Sequence, residues 1–260
     1  LPIFEASHAF DRVNGRPLDD PRTRLLVADG RAHLQLTATR YDVIVSEPSN
    51  PWMSGVAPLF TREFLLAARA HLTETGLMCQ WAHTYNLTMD DVRSIVGTFL
   101  SVFPDGSLWL VGSSDLLMIG SPRPIQALTS GLDAAWARPG VAADLSRVGI
   151  DSPFTLASFF VASGADLVRF VGDAPIQRDS RRRLEFTAPR ALYGQYLRPN
   201  ADRLRALADA AHRPAAIARQ WESATAREWE RRAALDLRAG APDAALRHFR
   251  SEEHTFELQS

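Results

Sequence analysis

Two polar clusters in the first third of the chain have the residue types needed to handle a small cation. The first is Ser46-Glu47-Pro48-Ser49-Asn50-Pro51-Trp52, which follows a short apolar run. Its two prolines have fixed φ, so Glu47 and Asn50 are held with little conformational freedom. A carboxylate held in this way can grip an ammonium ion and later take its proton. An aliphatic amine has a pKa near ~10 and is nucleophilic only when neutral, so proton removal is the service Glu47 would supply. The residues alone leave a second reading open, in which the loop is ordered for packing and Glu47 caps a helix. The second cluster is Gln80-Trp81, followed by His83, Thr84, Tyr85 and Asn86. Its amide and aromatic groups suit a small polar ligand, although Trp81 would serve equally well in a core.

Asp29-Gly30-Arg31 closes another apolar run. An acid there can accept hydrogen bonds from a sugar hydroxyl or an exocyclic adenine amine, and the glycine lets the backbone approach the ring. An N-cap aspartate on the next helix fits the same residues. Other chemistries are excluded more simply. All 29 basic residues are arginine, which removes Schiff-base lysines and the P-loop lysine. One cysteine, Cys79, and seven histidines without ligand spacing make no zinc site, so no metal is expected. Ser46, Ser49 and Ser54 lack the glycines of a nucleophile elbow. The Arg181-Arg182-Arg183 run reads as a solvated face.

These groups need a scaffold, and the pattern supplies one. Apolar runs at 24–28, 41–45 and 77–81 read as strands, the second without alternation, as in a parallel strand covered on both faces. Thr61-Arg62-Glu63-Phe64 opens a helix reaching about His71-Leu72. Thr88-Met89-Asp90-Asp91 caps another, whose inner face is Val92, Ile95, Val96, Phe99 and Leu100. Runs at 108–111 and 116–119 are joined by Gly112-Ser113-Ser114-Asp115, so they pair antiparallel. The fold expected is α/β, a doubly wound sheet with an antiparallel edge. Ligands of such sheets bind beyond the carboxyl ends of the strands, where Asp29, Glu47 and Gln80 all fall. Residues 122–196 read as helices and loops with a strand at 167–171, and the chain beyond Pro199 as helical. Residues 232–246 form a helix, glycine turn and helix, like half of a tetratricopeptide pair.

Several motifs in order carry a family resemblance over about Phe4 to Tyr193. They are Asp20-Pro21-Arg22, Asp29-Gly30-Arg31, Tyr41-Asp42-Val43-Ile44, Glu47-Pro48-Ser49-Asn50-Pro51-Trp52, Leu59-Phe60-Thr61-Arg62-Glu63-Phe64 and Met78-Cys79-Gln80-Trp81. Phe103-Pro104 and Leu184-Glu185-Phe186-Thr187-Ala188-Pro189-Arg190 extend them. The chain resembles the spermidine synthase family, the polyamine aminopropyltransferases, in its bacterial branch fused to membrane segments and sometimes helical repeats. The resemblance implies a sheet like that of S-adenosylmethionine methyltransferases, here lacking its first strands. It implies decarboxylated S-adenosylmethionine (or S-adenosylmethionine) as co-substrate, no prosthetic group, and a small amine or polyamine as acceptor. Asp29 and Gly30 match the pair that holds the adenine, with Val56 and Ala57 near the segment that lines it. Glu47 matches the catalytic aspartate, Asn50 stands where a second aspartate binds the amine, and Gln80 matches a polyamine-contacting glutamine. Trp81 and Tyr85 join the substrate side. The glutamate is one methylene longer than the family's acid, and the asparagine removes a charge. The family's glycine-rich loop and ribose-gripping acid are expected upstream of Leu1, so residues 1–260 by themselves are expected to be inactive.

The organisation expected is therefore 1–121 for the carboxyl-terminal part of the nucleoside-binding domain and 122–198 for a family-specific extension. Residues 199–250 form a helical region. Residues 251–260 resemble the translation of a sequencing adapter and are set aside from the fold. A net charge of −1 argues against a nucleic-acid partner. No stretch reaches the ~20 apolar residues of a membrane span and no signal peptide is visible. The expected location is the cytoplasm, or the cytoplasmic face of the inner membrane if the parent carries membrane segments; a homodimer is left open. Two other functions compete with aminopropyl transfer: methyl transfer from S-adenosylmethionine, and a non-catalytic ligand-binding domain.

Overall fold

A computed structural model describes residues 2–249 except Ser54; the adapter-like string at 251–260 lies outside the described residues. The chain divides into two compact units, one ending at Thr37 and one beginning at Ala38. The first unit holds helices α1 (Pro2–Ser7), α2 (Asp11–Asn14) and α3 (Gly30–Leu36). Between α2 and α3, Asp20 accepts from the backbone and guanidinium of Arg22, which pulls its carboxyl down to about 2.

The strand expected at 24–28 does not form. Residues 23–27 carry no strand or helix assignment, and Leu25, Leu26 and Val27 are exposed. Strand propensity is a preference of side chains for a half-buried pleat, and it is realised only where backbone groups find a ladder partner. Among the described residues of this unit there is none.

The second unit begins with β1 (Tyr41–Ser46), α4 (Arg62–Ala70), β2 (Leu72–His83) and α5 (Met89–Leu100). A hairpin of β3 (Ser107–Val111) and β4 (Asp115–Gly120) follows. Short helices α6 (Ile125–Thr129), α7 (Leu132–Trp136), α8 (Val141–Ser146) and α9 (Pro153–Ala157) lead to β5 (Phe160–Ser163). The remainder is α10 (Gly164–Val171), α11 (Leu184–Ala191), α12 (Leu197–Ala210), α13 (Ala215–Glu222) and α14 (Ala226–Arg238). Residues 242–249 are helical beyond a left-handed turn at Gly240.

The fold is α/β: one five-stranded mixed sheet, ordered β1-β2-β4-β3-β5, with helices and a helical carboxyl-terminal region. Among the described residues only β1 and β2 run parallel; β2–β4, β4–β3 and β3–β5 are antiparallel. Three local expectations are corrected. First, β1 is an edge strand rather than one covered on both faces, with Val43 and Val45 at 56% and 64% exposure. Second, β2 is far longer than 77–81 and begins directly after the end of α4. Third, residues 167–171 lie in α10, and the strand that joins the sheet is β5. Leu167, Phe170 and Val171 recur at i, i+3 and i+4, a helical spacing that overrides the strand preference of valine and phenylalanine.

The helices that support β2 are built as their spacing predicts. Thr88 and Asp91 form a reciprocal capping box on α5, worth on the order of 1 kcal/mol. Behind the cap, Val92, Ile95, Val96 and Phe99 are buried. The core beneath the sheet gathers Leu65, Leu72, Met78, Phe99, Phe103, Leu108, Leu116 and Met118. Packing is tight at Gly120, where an added Cβ would stand 2.5 Å from the Phe103 ring. Gly120→Ala is therefore expected to lower stability by about 1–3 kcal/mol, read from urea unfolding. An unchanged midpoint would show that Phe103 yields freely.

Candidate functional site

The parallel pairing of β1 and β2 is what assembles the site. In its register Val45 faces Cys79 and Ser46 faces Gln80, so Glu47 leaves β1 level with Trp81. Partners across a ladder share a face and successive residues alternate. Glu47, Cys79, Trp81 and His83 thus lie on one side of the sheet. The proximity of Glu47 to Cys79 is visible in the thiol, which burial and then the carboxylate push up. On the far side of β2, the hairpin returns Asp115 opposite His83. Asp115 Oδ1 accepts from the Trp81 indole at 3.0 Å, and Oδ2 from Ser114.

The loop after β1 closes over this edge. Pro48 and Pro51 are buried, while Glu47 is exposed and Asn50 half-buried. The Asn50 carbonyl accepts from Met53 N–H at 2.9 Å, and its side-chain Oδ1 accepts from the Tyr85 hydroxyl at 3.4 Å. Trp52 meets His83 edge-on, ring centroids 5.1 Å apart, and Tyr85 at 6.4 Å. His83 and Tyr85 stack at 4.2 Å, and Trp81 lies 5.3 Å from His83. Asn50, Trp52, Trp81, His83, Tyr85 and Asp115 are thereby brought together beside Glu47.

The loop that carries Tyr85 is held from a distance. Thr84 N–H donates to Ser114 O and its hydroxyl to Ser113 O. The buried Asn200 of α12 donates to the carbonyls of both Thr84 and Leu87, at 2.7 and 2.8 Å. With those two carbonyls tied, Asn86 sits in the left-handed region at φ 51°.

The other expected residues are placed differently. Gln80 is buried on the opposite face of β2 from Trp81, donating to Trp81 O at 3.1 Å. Its Oε1 has no hydrogen-bond partner among the described residues. Ala57 is buried in a single turn, Ala57–Phe60, with Val56 half-buried at its start. Asp29 and Gly30 belong to the first unit. There Asp29 caps α3, accepting from Ala32 N–H at 2.7 Å, while a Cβ on Gly30 would meet nothing within 4 Å. Two members of the cluster escaped sequence reasoning. Asp115 was visible as the end of the hairpin turn, since an antiparallel hairpin returns its fourth residue toward the strand it next pairs with. Asn200 had no local signal. Among the described residues no group of three or more His, Cys, Asp or Glu is placed to hold a metal. No described helix is long and apolar enough to cross a membrane.

The similarity to known proteins falls on the part of the chain that carries this edge. Residues 4–111 match the spermine/spermidine synthase domain. This stretch of the chain is similar to that domain. A polyamine aminopropyltransferase 1 of Pseudomonas aeruginosa is 32% identical over 87 residues, 34% of this chain and 30% of that protein. A polyamine aminopropyltransferase of Korarchaeum cryptofilum is 30% identical over 91 residues, covering 34% and 28%. A putrescine N-methyltransferase 2 of Nicotiana tabacum is 28% identical over 102 residues, covering 39% and 29%. The chain spans less than a third of the length of these relatives. Every site residue expected from sequence lies within the matched segment, whereas Asp115 and Asn200 lie beyond it.

His83 is the titratable group that the aromatic cluster perturbs most. Its Nδ1 lies 2.7 Å from Tyr85 O, and a carbonyl only accepts, so Nδ1 carries the proton and Nε2 is a buried acceptor. Burial holds its pKa down to about 4, against the opposing pull of the Tyr85 carbonyl and Asp115. The unfolded chain takes up this proton near pH 6.5, so the stability His83 contributes is complete above that pH and is lost as pH falls toward 4. The loss is on the order of 2–3 kcal/mol. His83→Phe is expected to flatten this limb of the stability–pH curve measured by urea unfolding; an unchanged limb would remove His83 as its source.

Proposed function

We propose that the protein containing this chain transfers an aminopropyl group from decarboxylated S-adenosylmethionine to a small amine, with Glu47 as the base. The observation that carries this reading is the convergence of Asn50, Trp52, Trp81, Tyr85 and Asp115 at the carboxyl edge of the parallel pair, where β1 ends one residue before Glu47. The names of the aminopropyltransferase relatives support it.

In this reading the amine arrives as an ammonium ion. Glu47 supplies the strongest attraction, since a unit charge at ~4 Å is worth about 4 kcal/mol near a protein surface. The indole and phenol faces add about 0.5–2 kcal/mol each as cation–π partners. Asn50 Oδ1 adds an acceptor but no charge, so the aromatic groups replace only part of what a second carboxylate would give. Glu47 then takes the proton. The freed lone pair attacks the aminopropyl carbon next to the sulfonium, the carbon–sulfur bond breaks, and its electrons neutralise sulfur in methylthioadenosine. His83 is neutral above about pH 4, so it does not repel the arriving cation. On the donor side, the resemblance assigns Asp29 and Gly30 of the first unit to the adenine.

A second reading has its own support in the putrescine N-methyltransferase relative. There the same base and amine pocket serve methyl transfer from S-adenosylmethionine. The two differ in donor and by-product, so one assay separates them. Glu47→Gln should lower methylthioadenosine release by ~10²-fold or more with donor binding little changed. Asn50→Asp should lower the amine KM and leave kcat nearly unchanged. Release unaffected by Glu47→Gln would remove this residue from the mechanism. Consumption of S-adenosylmethionine with methylated amine as product would favour the second reading.

A further inference from the structure

The amine site holds a second acid with no part in the transfer step. Asp115 opens β4 opposite His83 of β2 and is half-buried beside the aromatic cluster. Its Oδ1 accepts from the Trp81 indole at 3.0 Å and its Oδ2 from the Ser114 hydroxyl at 2.6 Å. A carboxyl oxygen that accepts one bond has a second lone pair to offer. Among the described residues no arginine lies within ion-pair distance of Asp115. Arg205 reaches the same turn, but it donates to Gly112 O and Ser113 Oγ and pairs with Asp202 at 3.3 Å. His83, the basic group opposite, is held neutral above about pH 4 by burial. Asp115 thus has donors and no cation.

Two further observations point to what belongs there. The Nε2 of His83 is a buried acceptor with no hydrogen-bond partner among the described residues. The ring that carries it is surrounded by Trp52, Trp81 and Tyr85, with centroids 5.1, 5.3 and 4.2 Å away. Aromatic faces gathered around acceptors are the surroundings an alkylammonium group prefers. Asn50, where the resemblance puts a second acid, offers only an amide oxygen. Tyr85 links the two positions: its hydroxyl donates to Asn50 Oδ1, and its phenol pKa is pushed up by burial and then by Asp115.

We propose that Asp115 anchors the distal ammonium of a diamine acceptor, supplying from β4 the acid that position 50 lacks. The proposal rests on the amine reading of the site and adds a specificity-determining residue to it. β1 and β4 stand two ladder spacings apart, about 10 Å, and a short diamine with a hydrogen bond at each end covers that distance. Asp115 lies beyond residues 4–111, so the choice between one and two cationic ends is made outside the segment that matches the synthase domain.

The experiment is isothermal titration of the protein containing this chain, with no sulfonium donor present. The probes are putrescine and butylamine, which has the same carbon chain and one nitrogen fewer. Putrescine is expected to bind more tightly by about tenfold or more. Asp115→Asn keeps an oxygen for the Trp81 indole but removes the carboxyl group. It should abolish most of the preference and leave butylamine affinity nearly unchanged. Trp81→Phe removes the indole and keeps the acid, so it should weaken both amines and retain the preference. Should Asp115→Asn melt early, Trp81→Phe alone decides the matter. Equal affinity for the two amines in the wild type, a preference that survives Asp115→Asn or is lost in Trp81→Phe, or a parallel loss of both amines in Asp115→Asn overturns the proposal. Methylthioadenosine release is a separate readout: putrescine held through Asp115 without any release would end the transfer reading and leave this one standing.

Discussion

β2 has to satisfy two different hydrogen-bond ladders at once, and the rest of the second unit follows from that constraint. Toward β1 it pairs parallel, with evenly spaced slanted bonds; toward β4 it pairs antiparallel, with alternating narrow and wide pairs. A slip of one residue on either side would turn every side chain of that neighbour to the wrong face. The two registers together fix Ser46, Gln80 and Met118 in one row across three strands. The next three rows bring the exit of β1, the end of β2 and the start of β4 to a common edge. Glu47, Trp81 and Asp115 meet because of this, although nearly seventy residues of sequence separate the first from the last.

What the sequence disclosed tracks how local the governing interactions are. The capping box of α5, the apolar face behind it and the β3–β4 hairpin were legible because each rests on residues a few positions apart. β1 was legible as a strand but not as an edge, since coverage depends on which segments arrive beside it. Residues 24–28 and 167–171 failed for the same reason in opposite directions. One apolar run had the propensity but no ladder partner, and the other had a helical spacing that outweighed its β-branched residues. Of the site, the acid, amide and aromatic types were readable from their order along the chain. Their grouping was not: Gln80 was expected beside Trp81, and the pleat turns it to the opposite face. His83 and Tyr85, expected together in a loop, stack because β2 extends two residues beyond Trp81.

Electrostatics divides the second unit into two neighbourhoods of opposite sign. At the carboxyl edge of β1 and β2, Glu47 and Asp115 are the acidic side chains, and the histidine beside them is kept neutral by burial. Around the helical end, arginines gather against β3 and β5, one of them buried with its aspartate. Only a weakly hydrated guanidinium with planar, forked donors is suited to that depth; a lysine ammonium would surrender more hydration there for fewer directed bonds. An all-arginine basic complement therefore shapes the packing of the helical region as well as its charge.

The two bonds from Asn200 also set an order of events during synthesis. Asn200 is made 116 residues after Thr84, whose carbonyl it holds. At roughly 5–20 residues per second the ribosome needs on the order of ten seconds to cover that distance. By the end of that interval the parallel pair and the hairpin have been made, while the Tyr85 loop waits for its latch. The aromatic face at the sheet edge is thus the last part of the site to set, completed only as α12 leaves the ribosome.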